Sequence, residues 1–248
     1  MSRADERARL SGWCCAHRGL HSPDGRVPEN SLPAFRAAVE AGYGAELDVQ
    51  LSRDGQVVVF HDDDLKRVCG VDARVDSKSL SELKTLPLLG SDERMPLFTE
   101  ALDALTGLAG PLIVELKTGP RNAELCQKTV EILRGWSGSY CIESFDPTIL
   151  LWFKKNAPDM LRGQLATVVD DYAGQNPLVA KLLTNCALNF LTKPDFIAYR
   201  VGARPKAVAR ARKRGVLLFG WTPRTPEEGA GDDSIIFEGF TPEPRRKT

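Results

Sequence analysis

Glu46 and Asp48 are separated by one residue in the run Glu46-Leu47-Asp48-Val49-Gln50, which otherwise has strand character. Strand side chains alternate between faces, so the two carboxylates point the same way. Two like charges on one buried face repel and are costly to desolvate. A solvated strand face is one arrangement that this spacing allows. A cation held between the carboxylates is the other, and a hard divalent metal takes such oxygens readily. The run Leu112-Ile113-Val114-Glu115-Leu116-Lys117 has the same form, with Glu115 and Lys117 on one face.

Two histidines stand in comparable places. His17-Arg18-Gly19 follows the apolar stretch Trp13–Ala16, and His61-Asp62 follows Val57-Val58-Val59-Phe60. Histidine titrates near neutral pH, so His17 and His61 form a natural proton-transfer pair. Arg18 offers a planar fork and Lys117 a point charge, both suited to phosphate oxygens. Glu46, Asp48 and Glu115 are hard oxygen donors for Mg²⁺ or Ca²⁺; an oxygen-rich set favours these over zinc. The pattern suits phosphodiester hydrolysis. That reaction needs a held anion, neutralised charge, a deprotonated nucleophile and a protonated leaving group.

These residues need a scaffold that gathers strand ends. Helical spacing over Ser31–Gly42 predicts a first helix, with Ser31 as its cap. Glu46–Leu51 reads as the second strand, and Val57–Phe60 as its hairpin partner or extension. Asp62–Lys78 reads as a polar loop over the site, followed by a short helix over Ser79–Leu86 and another over Pro96–Leu108. Strands over 111–116, 140–143, 161–166, 196–200, 216–221 and 234–237 then alternate with helices over 123–134, 144–156, 178–187 and 206–214. Such alternation argues for a parallel sheet, and about eight strands for closure into a TIM-type (β/α)8 barrel with a short insertion after strand 2. The absence of a linker or low-complexity run predicts one catalytic domain over residues 1–248.

The ordered set His17-Arg18-Gly19, Pro28-Glu29-Asn30-Ser31, Glu46-Leu47-Asp48-Val49, His61-Asp62 and Glu115-Leu116-Lys117 resembles glycerophosphodiester phosphodiesterases of the small bacterial type. The likeness runs from about residue 12 to Pro242. It implies a TIM-type barrel, a divalent cation, and hydrolysis of glycerophosphodiesters to sn-glycerol 3-phosphate and an alcohol. It adds Glu29 to the metal set, makes Asn30 an organiser of its loop, and places the two histidines on opposite sides of the phosphorus. It also matches Trp221 to the family's site tryptophan, with Phe145 as an apolar wall for the glycerol. The chain departs from the family at Phe237-Glu238-Gly239-Phe240-Thr241-Pro242, where many members carry T-D-x-P. Two rival readings are phospholipase D-like cleavage of lysophospholipids, and a binding barrel without turnover.

Composition narrows the class. Thirty-three Lys and Arg balance thirty-three Asp and Glu. No net field draws nucleic acid or an acidic membrane, which leaves a small-molecule substrate as the expected partner. Stable membrane insertion is not expected, because no run approaches the ~18 apolar residues of a span. Arg245-Arg246-Lys247 reads as a solvated basic end. The first ten residues are charged and lack the apolar core of a secretion signal. Six cysteines without a C-x-x-C pair read as buried free thiols, and together these features point to the cytoplasm.

Overall fold

All eight residues of the strand Gly44–Leu51 are buried. A strand hidden on both faces belongs to a sheet with helices outside and side chains inside. The computed structural model describes residues 3–172 and 174–245. Its strands are β1 (Cys14–Ala16), β2 (Gly44–Leu51), β3 (Val57–Val59), β4 (Leu112–Leu116), β5 (Tyr140–Ser144), β6 (Arg162–Ala166), β7 (Phe196–Arg200), β8 (Leu217–Trp221) and β9 (Ser234–Phe237). Parallel pairing runs β1-β2-β4-β5-β6-β7-β8-β9 and closes from β9 onto β1. The result is a closed barrel of eight parallel strands with helices between them, the TIM-type fold.

β3 pairs antiparallel with β2 outside this barrel, so the Val57 stretch is a hairpin partner. It opens the expected insertion. The segment read as a polar loop is more ordered than its composition suggests. It contains a helical turn at Lys66–Cys69 and a 3-10 turn at Val75–Ser77. Val58, Phe60, Leu65, Val68, Val75, Leu83, Leu88 and Met95 form a separate small core beneath it. Their apolar spacing is irregular because they come from a strand end and several short turns, which hides the core from periodicity.

Inside the barrel, Cys15, Ile113, Cys141, Phe196, Ala198, Phe219 and Ile236 fill the interior below the site. Phe196 stacks on Phe219 with ring centroids 4.4 Å apart. Gly163 makes that possible, because a Cβ there would lie 2.1 Å from the Phe196 ring.

The helix Leu32–Glu40 starts where Ser31 accepts a hydrogen bond from the Ala34 N–H, as a capping serine should. Ser79 likewise caps Leu80–Leu83 in a full capping box, and Asp146 caps Pro147–Asn156. The helix Arg3–Leu10 is not apparent in the sequence. Leu10 is its one buried residue, and Arg3 pairs with the distant Asp195. Arg245 stacks over Trp13 at 4.6 Å instead of lying free, while Arg246 and Lys247 are outside the described residues. Among the described residues, no helix is long and apolar enough to cross a membrane. None of the six cysteines forms a disulfide.

Candidate active site

β1, β2 and β4 deliver the polar half of the site through their register. Asp48 pairs with Glu115 across β2 and β4, and Glu46 lies two residues earlier on the same inward face. Carboxylate oxygens of Glu46, Asp48 and Glu115 all fall within 4.8 Å of one another, and all three residues are buried. Burial and repulsion from Asp48, Glu115 and Glu143 push the Glu46 carboxyl well above its usual range. Burial likewise raises Glu115. Asp48 goes the other way: against its burial, Lys117 and Arg18 and a hydrogen bond from Asn30 hold it down.

This donor set fits a divalent cation. Asp48 Oδ1 is buried and makes no hydrogen bond, although the Lys117 ammonium lies 3.3 Å away. Buried acceptors normally find hydrogen-bond partners, so an oxygen without one among three converging carboxylates could take a cation. Lys117 stands inside the cluster, 2.8 Å from Glu115 Oε1. Glu29 lies outside the converging trio. Its oxygens accept from Arg18 and, at both ends, from Arg67.

The loops after β1 and β3 carry the histidines. Arg18 and Asn30 both adopt left-handed backbone conformations, uncommon for residues with a side chain. That turn aims the Arg18 N–H at Glu46 Oε2, 2.8 Å away, and Asn30 Nδ2 donates to Asp48 Oδ2 at 2.8 Å. The site therefore locks its own acids through the His-Arg-Gly and Glu-Asn segments. His17 Nδ1 lies 2.9 Å from Glu238 Oε2, and His61 Nδ1 lies 2.6 Å from Asp62 Oδ1. A carboxylate on Nδ1 fixes the proton there and leaves Nε2 for chemistry. Burial lowers the His17 imidazolium to about 4 despite the Glu238 partner, and the His17 hydrogen bond lowers Glu238 to about 2.

His17, Arg18, Glu46, His61 and Glu115 line one cavity of about 410 Å³ at the C-terminal ends of the strands. Phe145, Leu165, Trp221 and Ile236 form its apolar side. Phe145 meets Trp221 edge-on at 5.7 Å and 88°. Of the expected residues, Lys117 and Asp48 do not line this cavity and pair with each other at 3.3 Å, while the rest reach it. Two participants, Arg67 and Glu143, escape a motif reading, and a third, Glu238, stands where the chain departs from the family motif. Arg67, from the insertion, bridges Glu29 and Asp62. Glu238 holds His17. Glu143, on β5, adds a fourth buried carboxylate. The β-strand register opposite Glu115 is the one signal that singles out Glu143.

A closed parallel barrel with converging acids and two carboxylate-bound histidines at its C-terminal mouth has the architecture of a TIM-barrel enzyme, whose active sites lie at that face. Residues 17–239 match the model of the glycerophosphoryl diester phosphodiesterase family. A glycerophosphodiester phosphodiesterase of Caldanaerobacter subterraneus is 30% identical over 247 residues, covering 89% of this chain and 91% of the relative. A Thermotoga maritima glycerophosphodiester phosphodiesterase structure superposes with a TM-score of 0.68 at 27% identity, covering 90% of this chain and 93% of that one. An Oleispira antarctica phosphodiesterase, solved with sn-glycerol-3-phosphate, shares the fold at a TM-score of 0.77 and 23% identity, with 93% and 94% covered. The chain belongs to the glycerophosphoryl diester phosphodiesterase family, whose reaction is the hydrolysis of glycerophosphodiesters.

Proposed function

We propose that the chain, as one catalytic domain, hydrolyses small glycerophosphodiesters to sn-glycerol 3-phosphate and an alcohol, with His17 and His61 as the proton-transfer pair. The observation that carries this reading is that both histidines, each tied at Nδ1 to its own carboxylate, face one cavity beside three converging acids. Glu46, Asp48 and Glu115 would hold Mg²⁺ or Ca²⁺, which supplies positive charge against the charge developing on the phosphoryl oxygens.

His17 or His61 accepts a proton at Nε2 from the nucleophile, and the other donates one to the departing alkoxide. The glycerol hydroxyl next to the esterified carbon is a suitable first nucleophile. It is already positioned, so its attack gains from proximity. The oxygen displaces the alcohol, and water then opens the cyclic phosphate. Arg18 grips phosphate oxygens, while Lys117 balances Asp48 and Glu115. Phe145 and Trp221 wall the glycerol. The alcohol leaves toward the insertion, whose short segment after Asp62 favours a small or exposed group.

Balanced charge supports a small-molecule substrate and no nucleic acid. Six cysteines without a disulfide support a reducing, cytoplasmic setting. The test is hydrolysis of glycerophosphocholine, glycerophosphoethanolamine and glycerophosphoglycerol, followed by glycerol 3-phosphate release. The reading expects all three to be cleaved, with specificities within about a thousandfold, ~4 kcal/mol. Cleavage of none, or of lysophospholipids alone, would replace it.

A further inference from the structure

Glu143 is the buried carboxylate for which the reaction above has no use. It is 1% exposed, and its Oε2 makes no hydrogen bond. It nevertheless lines the active cavity. Strand register places Asp48, Glu115 and Glu143 side by side on β2, β4 and β5, in one layer of the barrel. The first two face the acid cluster. Glu143 is one strand spacing further round, about 4.8 Å, and outside the group whose oxygens converge within 4.8 Å. Its position is therefore beside the cation site and not in it.

Glu143 has Glu115 beside it in strand register, and the cavity above it turns apolar. Phe145 stands two residues further along the same strand and meets Trp221 edge-on, and Leu165 lines the same cavity. A buried acceptor without a partner is costly, and such an oxygen in a native protein calls for a water, an ion or a functional partner. The ligand that fits must reach deep past Phe145 with an apolar body and end in a hydrogen-bond donor. A glycerol esterified to a phosphate held at Arg18 has this form: a short carbon chain carrying hydroxyls.

We propose that Glu143 is a specificity-determining residue that accepts a hydrogen bond from a glycerol hydroxyl of the substrate. The proposal rests on the glycerophosphodiesterase reading and extends it to how the constant half of the substrate is recognised. It also gives the cavity two ends. Cation cluster and Arg18 take the phosphate, while Glu143, roofed by Phe145, takes the glycerol. The leaving alcohol is then directed to the mouth.

The test is calorimetric binding to Mg²⁺-loaded protein of four probes: sn-glycerol 3-phosphate, n-propyl phosphate, phosphoethanolamine and inorganic phosphate. Propyl phosphate keeps the carbon chain and removes the hydroxyls. Wild type should prefer glycerol 3-phosphate over propyl phosphate by about tenfold, the effect of one hydrogen bond to a buried oxygen otherwise left without a partner. Glu143→Met keeps the volume and removes the acceptor, so the two ligands should bind alike. Glu143→Gln keeps a neutral acceptor and should retain part of the preference. Mg²⁺ and inorganic phosphate affinities should stay at wild-type values in both variants, which also shows that the site is folded.

Retention of the full preference by Glu143→Met overturns the proposal. Loss of Mg²⁺ affinity in Glu143→Gln overturns it too, making Glu143 a metal ligand. A selective loss of phosphoethanolamine binding would assign Glu143 to the ammonium of an amino alcohol instead. Wild type that cleaves glycerophosphocholine while Glu143→Met keeps the preference sinks this inference alone. Wild type that neither cleaves it nor binds glycerol 3-phosphate sinks the underlying reading as well.

Discussion

Glu238 reaches His17 across the seam where the barrel closes, with its Oε2 2.9 Å from His17 Nδ1. The histidine follows β1 and the glutamate follows β9, the first and last strands of the barrel, which pair in register. Closure of the fold thus sets the tautomer of a site histidine. Glu238→Gln should lower kcat with little change in KM, and by less than His17→Ala or His61→Ala. Each histidine deletion should cost on the order of a hundredfold or more. Steady-state kinetics on glycerophosphocholine measures all three; an unaltered kcat in Glu238→Gln would mean that the contact does not orient the base.

The same histidine makes acid stability predictable. Its ordinary value of 6.5 falls to about 4 in the folded chain, chiefly through burial. Between those values the unfolded chain binds a proton that the native one does not, so stability rises with pH there and is lost as pH falls. The full shift corresponds to about 3 kcal/mol. Urea unfolding of chelator-treated wild type and His17→Gln should give a stability difference that shrinks by up to this amount from pH 7 to pH 4. A pH-independent difference would contradict the buried neutral imidazole.

Much of this site is legible from residue spacing, and the reason is the two-residue period of a strand. Glu46 and Asp48 announce a shared face, and the register of β2 with β4 brings Glu115 alongside. The barrel follows from alternating elements, and the capping residues Ser31, Ser79 and Asp146 mark helix starts locally. What escapes is set by long-range pairing. Arg67 looks like a solvated loop residue until Glu29, 38 positions away, closes on it. Glu143 is a single acid in an apolar run, with no companion at the next same-face position. The helix Arg3–Leu10 is held by Leu10 and by an ion pair spanning 192 positions, so no periodic stripe announces it.

Relief of crowding among the acids should be measurable without turnover. Four buried carboxylates, Glu46, Asp48, Glu115 and Glu143, share this part of the barrel with the cations Arg18 and Lys117. Glu46→Gln keeps the shape and removes a charge. In chelator it should melt higher than wild type at neutral pH. Added Mg²⁺ or Ca²⁺ should stabilise wild type, by about 2.7 kcal/mol at a hundred times its dissociation constant, and the variant far less. Equal metal-induced shifts in both proteins would remove Glu46 from the metal set.

Interior packing beneath the site gives a prediction about the fold itself. Gly163→Ala drives a methyl into the Phe196 ring, which is already stacked on Phe219. Overpacking of this kind costs about 1–3 kcal/mol. Denaturant unfolding should show that loss; a neutral substitution would indicate that the Phe196–Phe219 stack yields freely.

The central claim is that glycerophosphodiester hydrolysis in this cavity depends on a cation held by Glu46, Asp48 and Glu115. Its most direct measurement is glycerol 3-phosphate release from glycerophosphocholine by chelator-stripped protein, before and after titration with Mg²⁺ or Ca²⁺. The account predicts negligible release from the stripped protein, recovery that saturates with added metal, and no recovery at the same concentrations in Glu46→Gln. Full activity in the stripped protein, or equal recovery in Glu46→Gln, would contradict it.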